Sequence, residues 1–180
     1  MIKKLLFGIG LLQICLSCER DDNANIKLSE VILPEATQTG AMLFACKVDG
    51  MPFICRGIDE VNGVYYSNNG GYTFGIRGSK ETDFTWGINL GNSGNAPISP
   101  GTYVLNGVTP GYWGSGSFVK RGFNYETSQT NAIYTGEMTI TKFDLTTEIV
   151  SGTFWFDIQN PWTGEKIEVR EGRFDTHFSQ

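Results

Sequence analysis

From Met42 onward, short runs of β-prone residues alternate with clusters of Gly, Asn, Asp and Pro at close spacing, and helical periodicity is almost absent. That punctuation predicts an antiparallel all-β domain. The expected strands begin with Leu43 to Val48, Phe53 to Arg56, Val64 to Tyr66, Tyr72 to Arg77 and Thr85 to Leu90. They continue with Thr102 to Leu105, Gly116 to Lys120, Ala132 to Asp144, Glu148 to Ile158 and Ile167 to Asp175. Asn68-Asn69-Gly70-Gly71 and Asp49-Gly50 are hairpin signals, because primed turns require positive φ and these residues adopt it at little cost. By period two, Phe154, Phe156 and Ile158 share the core face of one strand, while Trp155 and Asp157 point the other way.

About ten strands with no helix to cover a face must pack as two sheets or close on themselves, since a single open sheet exposes apolar surface and bare edges. The expected architecture is a β-sandwich or flattened β-barrel, with a calycin-like barrel enclosing a cavity as the alternative. The chain's 180 residues suffice for one such domain, placed at residues 41–180 once a leader and a tether are set aside.

The N-terminus carries a localisation message. Met1-Ile2-Lys3-Lys4 is a short positive region, and Leu5 to Leu16 is an apolar stretch of about 12 residues, well short of the ~20 a spanning helix needs. Leu16-Ser17-Cys18 then sets a small residue before a cysteine, as lipoprotein processing requires. Cys15 is the poorer candidate, because the β-branched Ile14 precedes it. Residues 1–17 are therefore expected to be a lipoprotein signal peptide, with Cys18 lipidated and residues 18–40 forming a tether. Two or three acyl chains, at ~0.8 kcal/mol per buried CH₂, make such an anchor effectively permanent. Losing Lys3 and Lys4 leaves 12 of the 14 basic residues against 19 acidic ones, a formal charge of -7. Nucleic-acid binding needs a clustered basic face, and Lys120-Arg121 is the nearest approach to one.

Glu19-Arg20-Asp21-Asp22-Asn23 is too polar to bury surface and reads as a hydrated spacer. It also resembles the acidic export signal of Bacteroidota lipoproteins, which implies display on the outer face of the outer membrane; the periplasmic leaflet is the alternative. Further segments are Leu33-Pro34-Glu35-Ala36-Thr37-Gln38-Thr39-Gly40 with Phe44, Cys46, Val48 and Gly50, then Gly136 to Asp144, Ile149 to Phe154 and Gly172 to Asp175. Together they resemble the opening and close of a domain family of unknown function common among those lipoproteins. The resemblance anchors both ends of residues 33 to 176 and implies location and fold, with no activity to carry over.

Chemistry is sparse. His177 is the only histidine, so nucleophilic hydrolysis lacks its usual base, and its place beside the last strand suits a solvated side chain. One His and two separated cysteines do not make a zinc set, and no segment matches an acidic calcium loop. No metal and no cofactor is expected. Asp83, Glu126 and Asp157 fall in aromatic-rich segments and are nominees for a two-carboxylate glycosidase. If Asp49 to Pro52 forms a four-residue loop, Cys46 faces Cys55. A disulfide closing so short a loop would contribute roughly 2.5 to 3 kcal/mol; the other reading is two buried thiols.

Pro110-Gly111-Tyr112-Trp113-Gly114-Ser115-Gly116 and Pro161-Trp162-Thr163-Gly164 concentrate aromatic residues among glycines. Tyr112, Trp113 and Trp162 on such loops would present flat apolar faces to a ligand such as a sugar, or else fold back over a core end. The leading functional expectation is a non-catalytic, envelope-anchored module that binds a glycan, a peptide or a neighbouring envelope protein. A polysaccharide hydrolase and a structural envelope component are the alternatives.

Overall fold

The computed structural model describes residues 31–80, 82, 85–94, 96–108, 111–119 and 126–180. The leader, Cys18, the acidic run behind it, Asp83, Pro110, Lys120 and Arg121 lie outside the described residues. Among those described there are eleven strands: β1 (Leu43–Val48), β2 (Met51–Arg56), β3 (Val61–Asn68), β4 (Gly71–Ser79), β5 (Thr85–Gly94), β6 (Gly101–Leu105), β7 (Gly111–Phe118), β8 (Glu126–Gln129), β9 (Gly136–Asp144), β10 (Ile149–Gln159) and β11 (Lys166–His177). No helix among them is long and apolar enough to cross a membrane.

All eleven strands join one sheet in the order β2-β1-β11-β10-β9-β6-β7-β5-β4-β3, with β8 on the far half of β7. The strand pairing is antiparallel except for one parallel bridge between β6 and β7, and a further isolated parallel bridge joins Val64 of β3 to Ser179. The two flanks of the sheet come together. At the β3 edge, Tyr65 N donates to the Ser179 carbonyl at 2.8 Å and Ser179 N to the Gly63 carbonyl at 3.0 Å. At the other flank, the Phe44 ring of β1 lies on Gly78 of β4, where an added Cβ would approach the ring to 2.5 Å. The all-β architecture agrees with the expected sandwich or flattened barrel.

The inner face is filled by Phe44, Phe74, Phe118, Phe156 and Phe174, with Ile88, Leu90 and Met138, all fully buried. Several of these rings lie against glycines of neighbouring strands. Phe156 occupies the space that side chains on Gly114 and Gly136 would take, with hypothetical Cβ contacts of 2.7 and 2.2 Å. This pairing of ring and glycine explains how so glycine-rich a chain keeps regular strands. These side chains occupy the interior that a calycin-like barrel reserves for a ligand.

Both hairpin signals are realised. Asp49 and Gly50 have φ of 48° and 79°, Asn69 and Gly70 have 50° and 81°, and each pair forms the two-residue link of a hairpin. The first turn corrects the assumed four-residue loop. With Val48 opposite Met51, Cys46 faces Phe53 and Cys55 faces Phe44, so the cysteines are diagonal neighbours rather than a direct pair. Both are buried free thiols. Burial pushes each above the ordinary thiol range, Cys55 to about 12.

The segment from residue 33 to 41 belongs to the fold. Leu33 is buried against Leu43, Ala45 and Ile54 on the outer face of β1 and β2. The buried Asp175 carboxylate of β11 then accepts bonds from Thr37 Oγ1 (2.6 Å), Thr39 N (2.9 Å), Gly40 N (2.9 Å), Ala41 N (3.1 Å) and Ser151 Oγ (2.7 Å). Burial alone would raise its pKa, but the donors from Thr37, Ser151, Thr39 and Ala41 outweigh it and hold the group well below the usual carboxylate range. Arg173 Nη1 and Lys142 Nζ complete the strap by donating to the carbonyls of Pro34 and Gln38 at 2.8 and 2.9 Å. The run expected to end a tether at residue 40 is thus seated on the domain from Leu33.

Candidate functional site

With the interior packed, a ligand site has to be sought on the outer surface. A groove of about 580 Å³ runs across the outer face of β4, β5, β7 and β8, lined by Arg77, Ser79, Trp86, Asn89, Trp113, Ser115, Ser117 and Thr127. That volume lies within the range usual for small-ligand sites.

Strand register builds the groove in rows. Arg77 is opposite Asn89, Asn89 opposite Ser115 and Ser115 opposite Gln129, giving one polar row across four strands. Ser79, Gly87, Ser117 and Thr127 form the next. On the other side, Trp113 is opposite Gly91, and its half-buried indole lies over that glycine: a Cβ there would come within 2.5 Å of Cζ2. Gly91 therefore acts as the seat of Trp113. The Arg77 guanidinium lies over Gly87, its Nε and Nη2 at 3.7 Å from where a Cβ would be, an ordinary contact distance.

Trp86 reaches the groove through an irregularity. Strict alternation would set it on the inner face with Ile88 and Leu90, but the β5–β7 register shifts between Thr85 and Gly87, and the bulge re-aims the side chain. Gly91, the residue opposite Trp113, lies five residues beyond Trp86 on β5, so at ~3.4 Å per residue the attachment points of Trp86 and Trp113 are roughly 17 Å apart along the strand. Between them lie hydroxyl and amide groups. Asn89 Nδ2 donates to Ser115 Oγ at 3.3 Å and Arg77 Nη2 to Ser79 Oγ at 3.2 Å.

The sequence-predicted aromatic trio is divided by this geometry. Residues 111–116, expected as a loop, are the first part of β7, so Tyr112 and Trp113 face opposite sides of the sheet. Tyr112 packs against the core beside Tyr103, ring centroids 4.3 Å apart, and burial with that neighbour raises its phenol above the usual range. Trp162, in the β10–β11 hairpin, also packs on the core edge. Only Trp113 of the three lines the groove; Trp86, which sequence reasoning missed, is its counterpart.

Of the carboxylate nominees, the two described ones, Glu126 and Asp157, do not line the groove. Glu126 is exposed at the start of β8, while Asp157 on β10 is ion-paired to Arg170 and lies 3.6 Å from Lys166. His177 is exposed beyond the strap, its imidazole packed on Gly40. Among the described residues no group of three or more His, Cys, Asp or Glu is placed to hold a metal. A second, shallower depression of about 270 Å³ on β9, β10 and β11 is lined by residues that include Glu137, Thr153, Trp155 and Arg173.

A family model described as a domain of unknown function (DUF6252) matches residues 66–176. The chain belongs to that family. The match runs from the end of β3 through β11, so every groove-lining residue lies inside the family domain, while the strap and β1–β2 hairpin precede it. No curated protein and no solved structure matches the chain.

Proposed function

We propose that this is a lipid-anchored, non-catalytic glycan-binding module of the cell envelope, held to the outer membrane through Cys18 and displayed on its outer surface. The observation that carries the binding reading is the groove itself: two indoles at its ends, and hydroxyl, amide and guanidinium donors between them. Indole faces stack on the apolar faces of sugar rings, while the polar row suits their hydroxyl edges. Among the described lining residues there is no Asp or Glu, which favours binding over hydrolysis by two carboxylates.

The entry of the chain supports access from outside. Phe44 of β1 meets Gly78 of β4 through their inner faces, so the outer surfaces of these strands, one carrying the strap and the other the groove, point away from each other. A domain tethered through the strap presents the groove on its far side.

Two measurements test the proposal. Metabolic labelling with a clickable fatty acid should mark the wild type and not Cys18→Ala, and protease added to intact cells should remove the domain; labelling of both forms, or protection from protease, overturns the location. The full chain on a glycan array should bind in a Trp113-dependent manner without releasing reducing ends. Turnover lost on Asp83→Asn, Glu126→Gln or Asp157→Asn would instead favour the hydrolase.

A further inference from the structure

Among the described cations of this acid-rich chain, Arg56 and Arg77 are in neither an ion pair nor a bond to the strap, and of the two Arg77 lines the groove. Lys47, Lys80, Lys166 and Arg170 each lie within 4.0 Å of a carboxylate. Arg173 and Lys142 are occupied by backbone carbonyls of the strap. Arg77, exposed in the groove, has no carboxylate within that distance among the described residues, and its one side-chain bond goes to the neutral Ser79 hydroxyl. A guanidinium carries five donors in a planar fork, and Arg77 is one of the residues that line the groove.

Its surroundings hold it in a defined place. The fork lies over Gly87, with Asn89 opposite on the next strand and Trp86 and Trp113 in the same groove. A planar, two-oxygen anion is the partner that such a fork matches best, forming two parallel charge-assisted bonds. Stacking faces, hydroxyl-binding groups and a carboxylate-matching fork together describe one ligand chemistry. We propose that the groove takes a uronic-acid-bearing oligosaccharide, with Arg77 binding the sugar carboxylate and Trp113 and Trp86 stacking on the rings at either end. The inference rests on the glycan-binding reading and adds its charge selectivity. The chain's net negative charge does not oppose it at physiological salt, where fields beyond ~8 Å are largely screened and the contacting group decides.

The test is isothermal titration of the full chain in detergent with an oligogalacturonate, with the same oligomer after its carboxyls are reduced to hydroxymethyl groups, and with a sulfated neutral oligosaccharide of equal length. The acidic oligomer should bind at least ~10-fold more tightly than the reduced one, as expected for a hydrogen-bonded charge, and more tightly than the sulfated one. Arg77→Gln should abolish the preference, so that the acidic and reduced oligomers bind the variant within about twofold of each other. Equal, Trp113-dependent binding of acidic and reduced oligomers overturns the charge selectivity and leaves the glycan reading standing. A preference for the sulfated oligomer, or a preference that survives Arg77→Gln, also overturns it. No binding of any of the three overturns the glycan reading with it.

Discussion

Trp155 and Trp113 both stand on the outer surface of the same sheet, and they have been treated in opposite ways. Trp155, on β10, lies under the Arg170 guanidinium, 5.4 Å from the ring centroid, and that arginine is itself neutralised by Asp157 and Glu168. The neighbouring strands β11, β1 and β2 carry the strap, with Leu33 and the Asp175 cluster beneath it. Trp113, on β7, lies beside hydroxyls, an amide and an arginine without a carboxylate partner among the described residues. One face has its cation–aromatic pair, its carboxylates and its apolar patch satisfied by the chain. The other has indole, hydroxyl, amide and guanidinium groups arranged around open space, and the proposal of a binding face there rests on that difference.

The largest expected effect breaks the covered face. Asp175→Asn removes the charge that six donors share and places an NH₂ group among them, so unfolding free energy should fall by about 3 kcal/mol, measurable by urea titration, with groove binding unchanged. The sign with pH follows from the depressed pKa. The contribution of Asp175 is fully present above the unfolded Asp value of ~3.9 and is lost as pH falls through the lower folded value. Wild type should therefore lose stability on acidification below about pH 4 by more than Asp175→Asn does.

Next in size is the contrast between the two tryptophans. Trp113→Ala should weaken oligogalacturonate binding about 30-fold, equivalent to the ~2 kcal/mol of a binding hot spot, whereas Trp155→Ala should leave the affinity within about twofold in the same titration. Gly91→Ala sharpens the point without touching a lining side chain. Its Cβ would press on the indole at 2.5 Å, so the ring must lift and binding should fall by a few-fold, less than in Trp113→Ala, while the far-ultraviolet spectrum is unchanged. Smallest is Lys47→Ala on the covered face. Its pair with Glu171 at 2.8 Å is partly exposed, and stability should change by ~0.5 kcal/mol with no effect on binding.

The fold was legible because its signals are local. Asp49-Gly50 and Asn69-Gly70 announce their turns, and the Phe154, Phe156 and Ile158 alternation assigns Trp155 to the outside. What was hidden depends on partners distant in sequence. Residues 111–116 look like a loop because glycine disfavours strands, yet Phe156 and Ile158 from β10 fill the space over Gly114 and Gly116. The alternation Gly114, Gly116, Phe118 against Trp113, Ser115, Ser117 was the available sign of a strand. Trp86 was concealed by a bulge that no composition announces. The Thr37 to Gly40 run reads as tether because its partner, Asp175, is more than 130 residues away.

The most direct test of the groove as the ligand face uses the four tryptophans as reporters, their indole N–H resonances assigned by Trp→Phe variants. On titration of the isotope-labelled chain with oligogalacturonate, the resonances of Trp86 and Trp113 should shift in a saturable manner while those of Trp155 and Trp162 stay in place. Shifts confined to Trp155 or Trp162, or no shift at any of the four, would contradict the assignment of the β4-β5-β7-β8 face as the binding surface.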